Sequence, residues 1–385
     1  MSGPFYFDYA ATGIPDAEIA HSALEESLAY FANPSSAHHL GKAVRQRLEH
    51  WRARAAKALN AQTQQIIFTG GATEANQLIL LRLLLNKDPG NTHIVASGFE
   101  HASVHESLLT LKHAGCQLSW VNPQKDGRIC PEDFLAQITP KTRLVTLMMV
   151  NNETGAIQPA AQVIQGIRSL PHGSHIHVHI DAVQAIGRVP LDLGDLDCDS
   201  LCLSAHKIGG PKGIGLLYLK KPVPTLLKGG GQENDMRAGT ENLFGVCGCV
   251  LALEKILQRH SQSRSHEQLW LSRLKDMGAT FLPFDRAIHP ENFSQGIIAF
   301  AFPPLPGEVL MRLLSDRRVY VGTGSACGQN KKDRLRALTC IGIADKIAQC
   351  AVRVSFHEDA PLEHSAQALD ILEEIIADQR KVLNF

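Results

Sequence analysis

Apolar positions along the chain switch repeatedly between the spacing of a helix and the spacing of a strand. Helical spacing is clear early in the chain, at Val44, Leu48, Trp51, Ala55 and Leu59. A short apolar strand over 65–68 follows and ends at Thr69-Gly70-Gly71. This helix followed by a strand is the first step of an alternation that runs through the middle of the chain.

The later steps of the alternation predict the fold class. We predict strands over 93–97, 118–121, 144–150, 175–180, 201–204 and 215–219, and helices over 103–113 and 160–170. Such an order is typical of an α/β fold with a mostly parallel sheet flanked by helices. Ligands of open α/β sheets bind beyond the carboxyl ends of the strands, and the polar clusters of this chain lie there.

The pattern changes in the second half of the chain. Gly229-Gly230-Gly231 starts a polar, glycine-rich stretch, and residues 261–267 are charged and rich in serine. Because 385 residues are too many for one compact core, we expect a large domain over 13–257 and a smaller α/β domain formed by 1–12 and 258–385. The last helix of the smaller domain has a buried stripe, predicted at Leu369, Leu372, Ile375 and Ile376.

Composition and charge narrow the class of partner. Lys plus Arg number 38 and Asp plus Glu number 38, so no net field attracts nucleic acid or an anionic membrane. A small metabolite is the expected ligand. The first residues, Met1 to Asp8, lack the features of a secretory signal, and we expect a cytoplasmic protein. Nine cysteines, an odd number, indicate reduced thiols and no disulfide framework.

One lysine has the surroundings of a cofactor anchor. Lys207 follows an apolar strand in Ser204-Ala205-His206-Lys207, directly before a glycine-rich turn. A lysine that is shielded at a strand end can form an imine with an aldehyde such as pyridoxal, although most such lysines are merely solvated. Asp181 ends an earlier strand, where it could hold a pyridine nitrogen protonated or act only as a helix cap or a salt-bridge partner.

Two further segments suggest chemistry. Gly70-Gly71-Ala72-Thr73 lies between a strand and a predicted helix, which suits a phosphate group, although a simple helix cap at Thr73 explains the same residues. Cys327 lies in Gly324-Ser325-Ala326-Cys327, and the lysines that follow would favour its thiolate. The alternative is an inert cysteine that packs as a small apolar residue.

Two other patterns are discounted. His175, His177 and His179 alternate along a predicted strand, a spacing that could bind a metal, but no matching ligand pair accompanies them. Gly322, Gly324 and Gly328 approach a dinucleotide fingerprint, yet the third glycine is one position late. We therefore expect neither a metal site nor a nicotinamide cofactor.

Taken together, the segments resemble those of a known family. In order along the chain they are Phe7-Asp8-Tyr9-Ala10-Ala11-Thr12, Asn33-Pro34-Ser35-Ser36, Phe68-Thr69-Gly70-Gly71-Ala72-Thr73-Glu74-Ala75-Asn76, Glu100-His101, Asn151-Asn152-Glu153-Thr154-Gly155, Asp181-Ala182-Val183-Gln184, Ser204-Ala205-His206-Lys207, Gly229-Gly230-Gly231-Gln232-Glu233, Arg237-Ala238-Gly239-Thr240 and Gly324-Ser325-Ala326-Cys327. This series is similar to that of the cysteine desulfurases, the NifS/IscS-like group of the class V aminotransferase family. The resemblance implies a type I aminotransferase-like fold and pyridoxal 5'-phosphate as cofactor.

The resemblance also implies a role for each matching residue. Lys207 would hold the cofactor as a Schiff base, Cys327 would be the nucleophile, and His101 would stack on the ring and shuttle protons, including one from the substrate thiol. The residues implied to hold the cofactor are Ala72, Thr73, His101, Asn152, Asp181, Gln184, Ser204, His206, Lys207 and Thr240, with Thr240 reaching the cofactor of a second subunit. Asn33, Asn152 and Arg353 would bind the substrate, since a guanidinium grips a carboxylate with two hydrogen bonds.

The activity implied is the conversion of L-cysteine to L-alanine with transfer of sulfur to Cys327. A homodimer would pass this sulfur to an acceptor protein for iron–sulfur cluster assembly or tRNA thiolation. The segments after Cys327 and after Ser355 depart from the family pattern, as Gly328-Gln329-Asn330 and Phe356-His357-Glu358 show. A selenocysteine lyase, another class V lyase or aminotransferase, and a catalytically silent partner in sulfur transfer therefore stay open as alternatives.

Overall fold

The computed structural model describes residues 4–258, 264–324, 331–357 and 360–383. Within these ranges the strands are β1 (Phe5–Phe7), β2 (Ile66–Thr69), β3 (His93–Ser97), β4 (Gln117–Val121), β5 (Thr142–Met148), β6 (His177–Asp181), β7 (Ser200–Ser204), β8 (Gly215–Leu219), β9 (Thr280–Phe281), β10 (Ile297–Ala301), β11 (Val319–Val321) and β12 (Ala351–Ser355). The helices are α1 (Ala17–Ala29), α2 (His39–Ala58), α3 (Ala72–Leu81), α4 (Ala102–His113), α5 (Pro131–Ala136), α6 (Ala160–Arg168), α7 (Leu193–Leu196), α8 (Leu243–Gln258), α9 (Ser265–Asp276), α10 (Gly307–Asp316), α11 (Lys331–Cys340), α12 (Asp345–Ala348) and α13 (Leu362–Leu383).

The large sheet of the described chain has the strand order β2-β8-β7-β6-β5-β3-β4. Strands β4, β3, β5, β6 and β7 run parallel to one another, whereas β8 is antiparallel to both of its neighbours. Strands β3, β5, β6 and β7 are buried along almost all of their length because helices cover both faces of the sheet, whereas the edge strand β4 is mostly half-buried. Their carboxyl ends therefore meet along one edge, as the alternating sequence pattern predicts.

Helix α6 shows why the sequence folds this way. Its apolar residues Ala160, Val163, Ile164 and Ile167 follow helical spacing and are all buried. They belong to the apolar cluster on one face of the large sheet. A second cluster, which includes Ile79 and Leu108 from α3 and α4, packs on the other face. The parallel strands are thus enclosed between two apolar layers.

A separate apolar cluster surrounds the smaller sheet. Strands β12, β10 and β9 form this antiparallel sheet, and β1 pairs with β11 beside it. Phe5 and Phe7 of β1 pack in the same cluster as Trp270 and Phe356. The stripe predicted on the final helix, Leu369, Leu372, Ile375 and Ile376, is buried there. The contacts of β1 agree with the assignment of the first residues to the smaller domain, whose exact boundaries stay a prediction.

One predicted strand begins later than its apolar pattern indicates. His175 ends a short 3-10 helix, Gly173–His175, and strand β6 begins only at His177. The prediction that His175, His177 and His179 alternate along one face of a strand is therefore wrong for His175. His177 and His179 do share a face, since both rings contact the Ser200 hydroxyl at 2.8 Å. Their role is hydrogen bonding inside the sheet.

None of the helices in the described ranges combines the length and the apolar character that a membrane-spanning helix requires.

Candidate active site

A cavity of about 490 Å³ lies at the carboxyl ends of the parallel strands. Its size is in the usual range for a small-molecule site. The residues predicted from the sequence that line it are Ala72, Thr73, His101, Asn152, Asp181, Gln184, Ser204, His206, Lys207 and Arg353. Positions up to 281 residues apart in the chain are thus brought to one site.

Lys207 reaches into this cavity from a 3-10 turn, Ala205–Lys207, that directly follows β7. Its Nζ donates hydrogen bonds to the carbonyl oxygens of Ala10 and Ala11, at 2.6 and 2.8 Å. The amine is therefore held by uncharged main-chain oxygens. These two oxygens carry no net charge, so the amine can leave them without separating an ion pair there, which suits an amine that must react.

Asp181 ends β6 and is almost fully buried. Its Oδ1 accepts a hydrogen bond from the Val183 N–H at 3.0 Å, and its Oδ2 accepts one from the Asn76 side chain at 3.2 Å. The carboxylate is thus fixed in orientation at the cavity wall. Gln184 is fixed beside it, since its Nε2 donates to the Ala10 carbonyl oxygen at 2.9 Å.

The start of α3 forms an open pocket of main-chain N–H groups. Gly71 precedes the helix with φ 144°, and no side chain caps the helix at this end. The free N–H groups of the first turn carry partial positive charge, which favours an anion. Glycine is also required behind this loop, because a Cβ atom at Gly215 would lie 2.7 Å from the Gly71 Cα.

Ser204 and His206 border the same pocket. The His206 Nδ1 is 3.1 Å from the Thr12 hydroxyl. Burial lowers the pKa of His206 to about 4, and the charges of Lys207 and Lys212 add to this effect. His206 is therefore neutral at pH 7 and can serve as a hydrogen-bond donor or acceptor.

His101 stands at the start of α4, where its ring caps the helix. The Nδ1 atom lies 2.9 Å from the Ser103 hydroxyl and accepts the Ser103 N–H at 3.2 Å. Burial lowers the pKa of His101 below its usual value of 6.5. The ring that lines the cavity is therefore neutral at pH 7 and held by one of its two nitrogens.

Arg353 lies on β12 and is 2 % exposed. One terminal nitrogen donates to the Asp8 Oδ1 at 2.7 Å, and the other donates to the Asn152 carbonyl oxygen at 2.9 Å. Its Nε has no hydrogen-bond partner among the described residues. A longer contact of 3.4 Å to the Gly324 carbonyl oxygen also orients the guanidinium, which retains donor capacity for a carboxylate at Nε.

Two buried carboxyl groups lie close to the site. Burial raises the pKa of Glu100 well above its usual range, and the Asp181 charge adds to this. Burial also raises the pKa of Glu153 to about 7, although the charges of Arg353 and Arg336 oppose the shift. Glu153 therefore titrates near neutral pH, and both carboxyl groups hold their protons to higher pH than an exposed glutamate does.

Three predicted residues stand apart from the cavity or from the described chain. Asn33 is exposed, and its side-chain oxygen accepts the Ser35 N–H at 2.8 Å. Thr240 is exposed and does not line the cavity of its own chain. Cys327 lies outside the described residues. The substrate role of Asn33 and the cofactor role of Thr240 thus have no support from this cavity.

Several residues that shape the site were not predicted from the sequence. The carbonyl oxygens of Ala10 and Ala11 hold Lys207, Asp8 holds Arg353, and Lys212 lines the cavity. Asp8, Ala10 and Ala11 lie in the first segment that carries the resemblance, so that segment was the available signal. Nothing in its residue types indicated contacts with positions about 200 or 345 residues away.

Comparison with known proteins places the chain in a family. The model of the family described as Aminotransferase class-V matches residues 5–364. A cysteine desulfurase IscS of Dictyoglomus turgidum is 32% identical over 393 residues, which cover 99% of this chain and 97% of that protein.

Two solved structures are also similar over most of their length. One, titled NifS-like protein, has a TM-score of 0.88 and 31% identity, and covers 97% of this chain and 99% of its own. The other, titled SspA in complex with cysteine, has a TM-score of 0.78 and 29% identity, and covers 91% and 98%. These findings confirm the α/β fold and the resemblance: the chain belongs to the class V aminotransferase family, in its NifS/IscS-like group.

Proposed function

We propose that this protein is a pyridoxal 5'-phosphate-dependent cysteine desulfurase. The observation that carries the proposal is the convergence of Lys207, Asp181, His101 and Arg353 on one cavity, in a chain whose relatives include an enzyme named cysteine desulfurase. An amine, a carboxylate, an aromatic base and a guanidinium are the groups that an amino acid and a pyridoxal ring require.

The residues of the cavity fit the cofactor. The uncapped start of α3, together with Thr73, Ser204 and His206, offers hydrogen-bond donors to a phosphate. Asp181 would hold the pyridine nitrogen in its protonated form, and Gln184 would meet the ring hydroxyl oxygen. When bound, the cofactor supplies an aldehyde and a ring that withdraws electrons from the substrate α-carbon.

The remaining residues would bind the substrate and move its proton. Arg353 and Asn152 would hold the α-carboxylate of L-cysteine, and this would place the α-hydrogen within reach of Lys207. The Lys207 amine would remove that proton. In the overall reaction the substrate C–S bond would break and an S–S bond to the Cys327 Sγ would form. The α-carbon and the methyl carbon of the L-alanine product would each take up one proton, which balances the protons lost from the substrate α-carbon and from the Cys327 thiol.

Two copies of the chain would form the working enzyme. Leu28 is 68% exposed on α1, and Phe31 just beyond this helix is 77% exposed. Exposed apolar side chains of this size favour burial against a partner. We propose that a second copy covers them and that Thr240 serves the cavity of that copy. The sulfur would then pass to an acceptor protein.

The direct test is formation of L-alanine from L-cysteine by the purified holoenzyme with a reducing agent. We expect turnover in the wild type and none above background in Cys327→Ala. Alanine formation that persists at the wild-type rate in Cys327→Ala would instead indicate a class V lyase that does not use this thiol. Absence of turnover in the wild type with bound cofactor would favour a silent partner in sulfur transfer.

A further inference from the structure

A chain of buried hydrogen bonds connects Asp181 with His101, and Asn76 lies at its centre. Asn76 is on α3 and has no solvent exposure. Its Nδ2 lies 3.2 Å from the Asp181 Oδ2 and 2.9 Å from the Ser103 Oγ. The Ser103 Oγ in turn lies 2.9 Å from the His101 Nδ1. One amide group therefore contacts both the carboxylate and the residue that holds the histidine.

The neighbours of Asn76 leave only one orientation for its amide. The Oδ1 atom accepts a hydrogen bond from the Cys202 thiol at 3.0 Å and lies 2.8 Å from the His179 Nε2. Rotating the amide by half a turn would place its oxygen against the Asp181 carboxylate and its NH₂ group against the thiol hydrogen. The Nδ2 therefore donates both of its hydrogens, one to Asp181 and one to Ser103.

The Ser103 main-chain N–H identifies His101 Nδ1 as an acceptor, and the amide orientation leaves the Ser103 hydroxyl hydrogen free to point to the same atom. Because the Ser103 Oγ accepts from Asn76, its own hydrogen is available for the His101 Nδ1. The Ser103 main-chain N–H points to the same nitrogen at 3.2 Å. Two donors thus converge on Nδ1, and a nitrogen that accepts two hydrogen bonds carries no proton.

We propose that Asn76 and Ser103 are positioning residues that fix the neutral His101 in the tautomer with its proton on Nε2. Nε2 is the ring nitrogen that Ser103 does not engage, in a ring that lines the cavity. His101 then begins each reaction cycle as a proton donor through Nε2. It can accept a proton at that atom only after it has given up the first, which restricts its expected role as the base for the substrate thiol. This use of the proton rests on the proposed function.

The tautomer can be measured without any turnover. Holoenzyme with ¹⁵N-labelled histidine is prepared, and the ring nitrogens are correlated with the carbon-bound ring protons by NMR. The His101 signals are identified by their loss in His101→Asn. We expect the wild type to show a protonated Nε2 and an unprotonated Nδ1. A His101 ring with its proton mainly on Nδ1 would overturn the proposal.

Matched variants test the role of the hydroxyl. Ser103→Ala removes one of the two donors, and we expect the tautomer ratio to move toward the Nδ1–H form by about fivefold. Ser103→Thr retains a hydroxyl and is expected to restore the wild-type spectrum. Ser107→Ala is the control, since Ser107 lies one turn along α4 and its hydroxyl donates to the Ser103 carbonyl oxygen, not to the His101 ring.

A His101 spectrum that is unchanged in Ser103→Ala would also overturn the proposal, as would an equal change in Ser107→Ala. Circular dichroism of each variant establishes that it is folded. The two proposals fail separately, because the spectrum reports the tautomer even if the enzyme does not desulfurate cysteine. An enzyme that desulfurates cysteine with an Nδ1–H tautomer would refute only the inference about Asn76 and Ser103.

Discussion

At the scale of single residues, Lys207 differs from an ordinary surface lysine in what holds it. Its Nζ donates hydrogen bonds to two main-chain carbonyl oxygens inside a cavity that is lined by most of the other predicted site residues. In the sequence alone, a lysine at the end of a strand looks the same whether it binds a cofactor or is merely solvated. The structure thus gives a physical reason for preferring the cofactor anchor over a solvated charge.

The anchor can be tested by removal of the amine. Lys207→Ala is expected to reduce alanine formation by at least about 10²-fold, because the tether and the base for the α-proton are lost together. Borohydride reduction of the wild-type holoenzyme should attach the cofactor to the peptide that contains Lys207, as detected by mass spectrometry. Lys346→Ala, on the exposed side of α12, is the control and should behave as the wild type. Covalent cofactor on a different lysine would contradict the assignment.

Arg353 offers a second test at this scale. Arg353→Lys retains the charge but loses the two-pronged geometry that suits a carboxylate. We expect KM for L-cysteine to rise between about 10- and 100-fold with a smaller change in kcat, since the interaction is with a group that does not react. Arg317→Lys, in an exposed pair with Glu374, should leave KM unchanged. A fall in kcat at unchanged KM would exclude the proposed role.

At the scale of elements, the apolar spacing predicted most of the large sheet to within two residues. Strands 93–97 and 215–219 are correct at both ends, because each has an apolar centre and is followed by a residue that interrupts the apolar run, Gly98 and Lys220. Strand β6 was predicted to start too early, since Gly173 and its neighbours form a 3-10 turn whose hydrogen bonds the apolar pattern does not report. Short-range spacing identifies elements better than it identifies their ends.

Strand β6 also leads to a prediction on acid stability. Burial lowers the pKa of His177 to about 3 from 6.5, and the charges of Arg82 and Arg168 add to this. Between these pH values the unfolded chain binds a proton at His177 that the folded chain does not. The free energy of unfolding therefore falls with decreasing pH, by about 1.4 kcal/mol per pH unit for this group.

The comparison of variants isolates this contribution. His177→Gln should show a shallower loss of stability between pH 6.5 and pH 3 than the wild type in urea unfolding. His21→Gln, whose side chain is 73% exposed, should follow the wild-type slope. Equal slopes in all three proteins would argue against a neutral, half-buried His177.

A buried ion pair fixes the loop that follows β8. Arg52 on α2 and Glu233 form two hydrogen bonds, of 2.6 and 2.9 Å, and both side chains are at most 5% exposed. Glu233, Asn234 and Asp235 all have positive φ angles, of 47°, 55° and 62°. Positive φ is unfavourable for glutamate, although Asn and Asp tolerate it better, so the ion pair and the Phe68 N–H that donates to Glu233 help to hold this turn.

Loss of this pair should be costly. Arg52→Ala is expected to lower the free energy of unfolding by about 3–5 kcal/mol, because the Glu233 charge would stay buried and unpaired. Arg54→Ala removes a partner of Glu254 in a pair that is 33% and 25% exposed, and should cost about 1 kcal/mol or less. Urea unfolding of the two variants measures the difference. Equal losses would contradict the importance of burial.

At the scale of the whole molecule, residue types alone could not predict which distant segments of the chain contact each other. Asp8 and Arg353 are separated by 345 positions, and Asn76 and Asp181 by 105. Each side chain is an ordinary polar residue in its own segment, and only the packing of the smaller sheet and of α3 brings the partners together. The family resemblance predicted most of the residues that meet in the cavity, although the exposed Asn33 is not among them, whereas the contacts that support them became visible only in the fold.

The proposed dimer is a prediction at the same scale. Leu28→Glu with Phe31→Glu would place two charges in the apolar contact, and we expect the dimer to dissociate at micromolar concentration. Val382→Glu, at a position 70% exposed on α13, is the control and should remain dimeric. Analytical ultracentrifugation measures both. A wild type that is monomeric, or a double variant that stays dimeric, would refute the proposed interface.

The central claim is that L-cysteine gives its sulfur to Cys327 in an enzyme that holds pyridoxal phosphate at Lys207. The most direct measurement is mass spectrometry of the peptide that contains Cys327, taken after the holoenzyme has reacted with L-cysteine without a reducing agent. The account predicts that this peptide gains the mass of one sulfur atom, that the gain disappears on reduction, and that Lys207→Ala shows none. An unmodified Cys327 in enzyme that still produces L-alanine would contradict it.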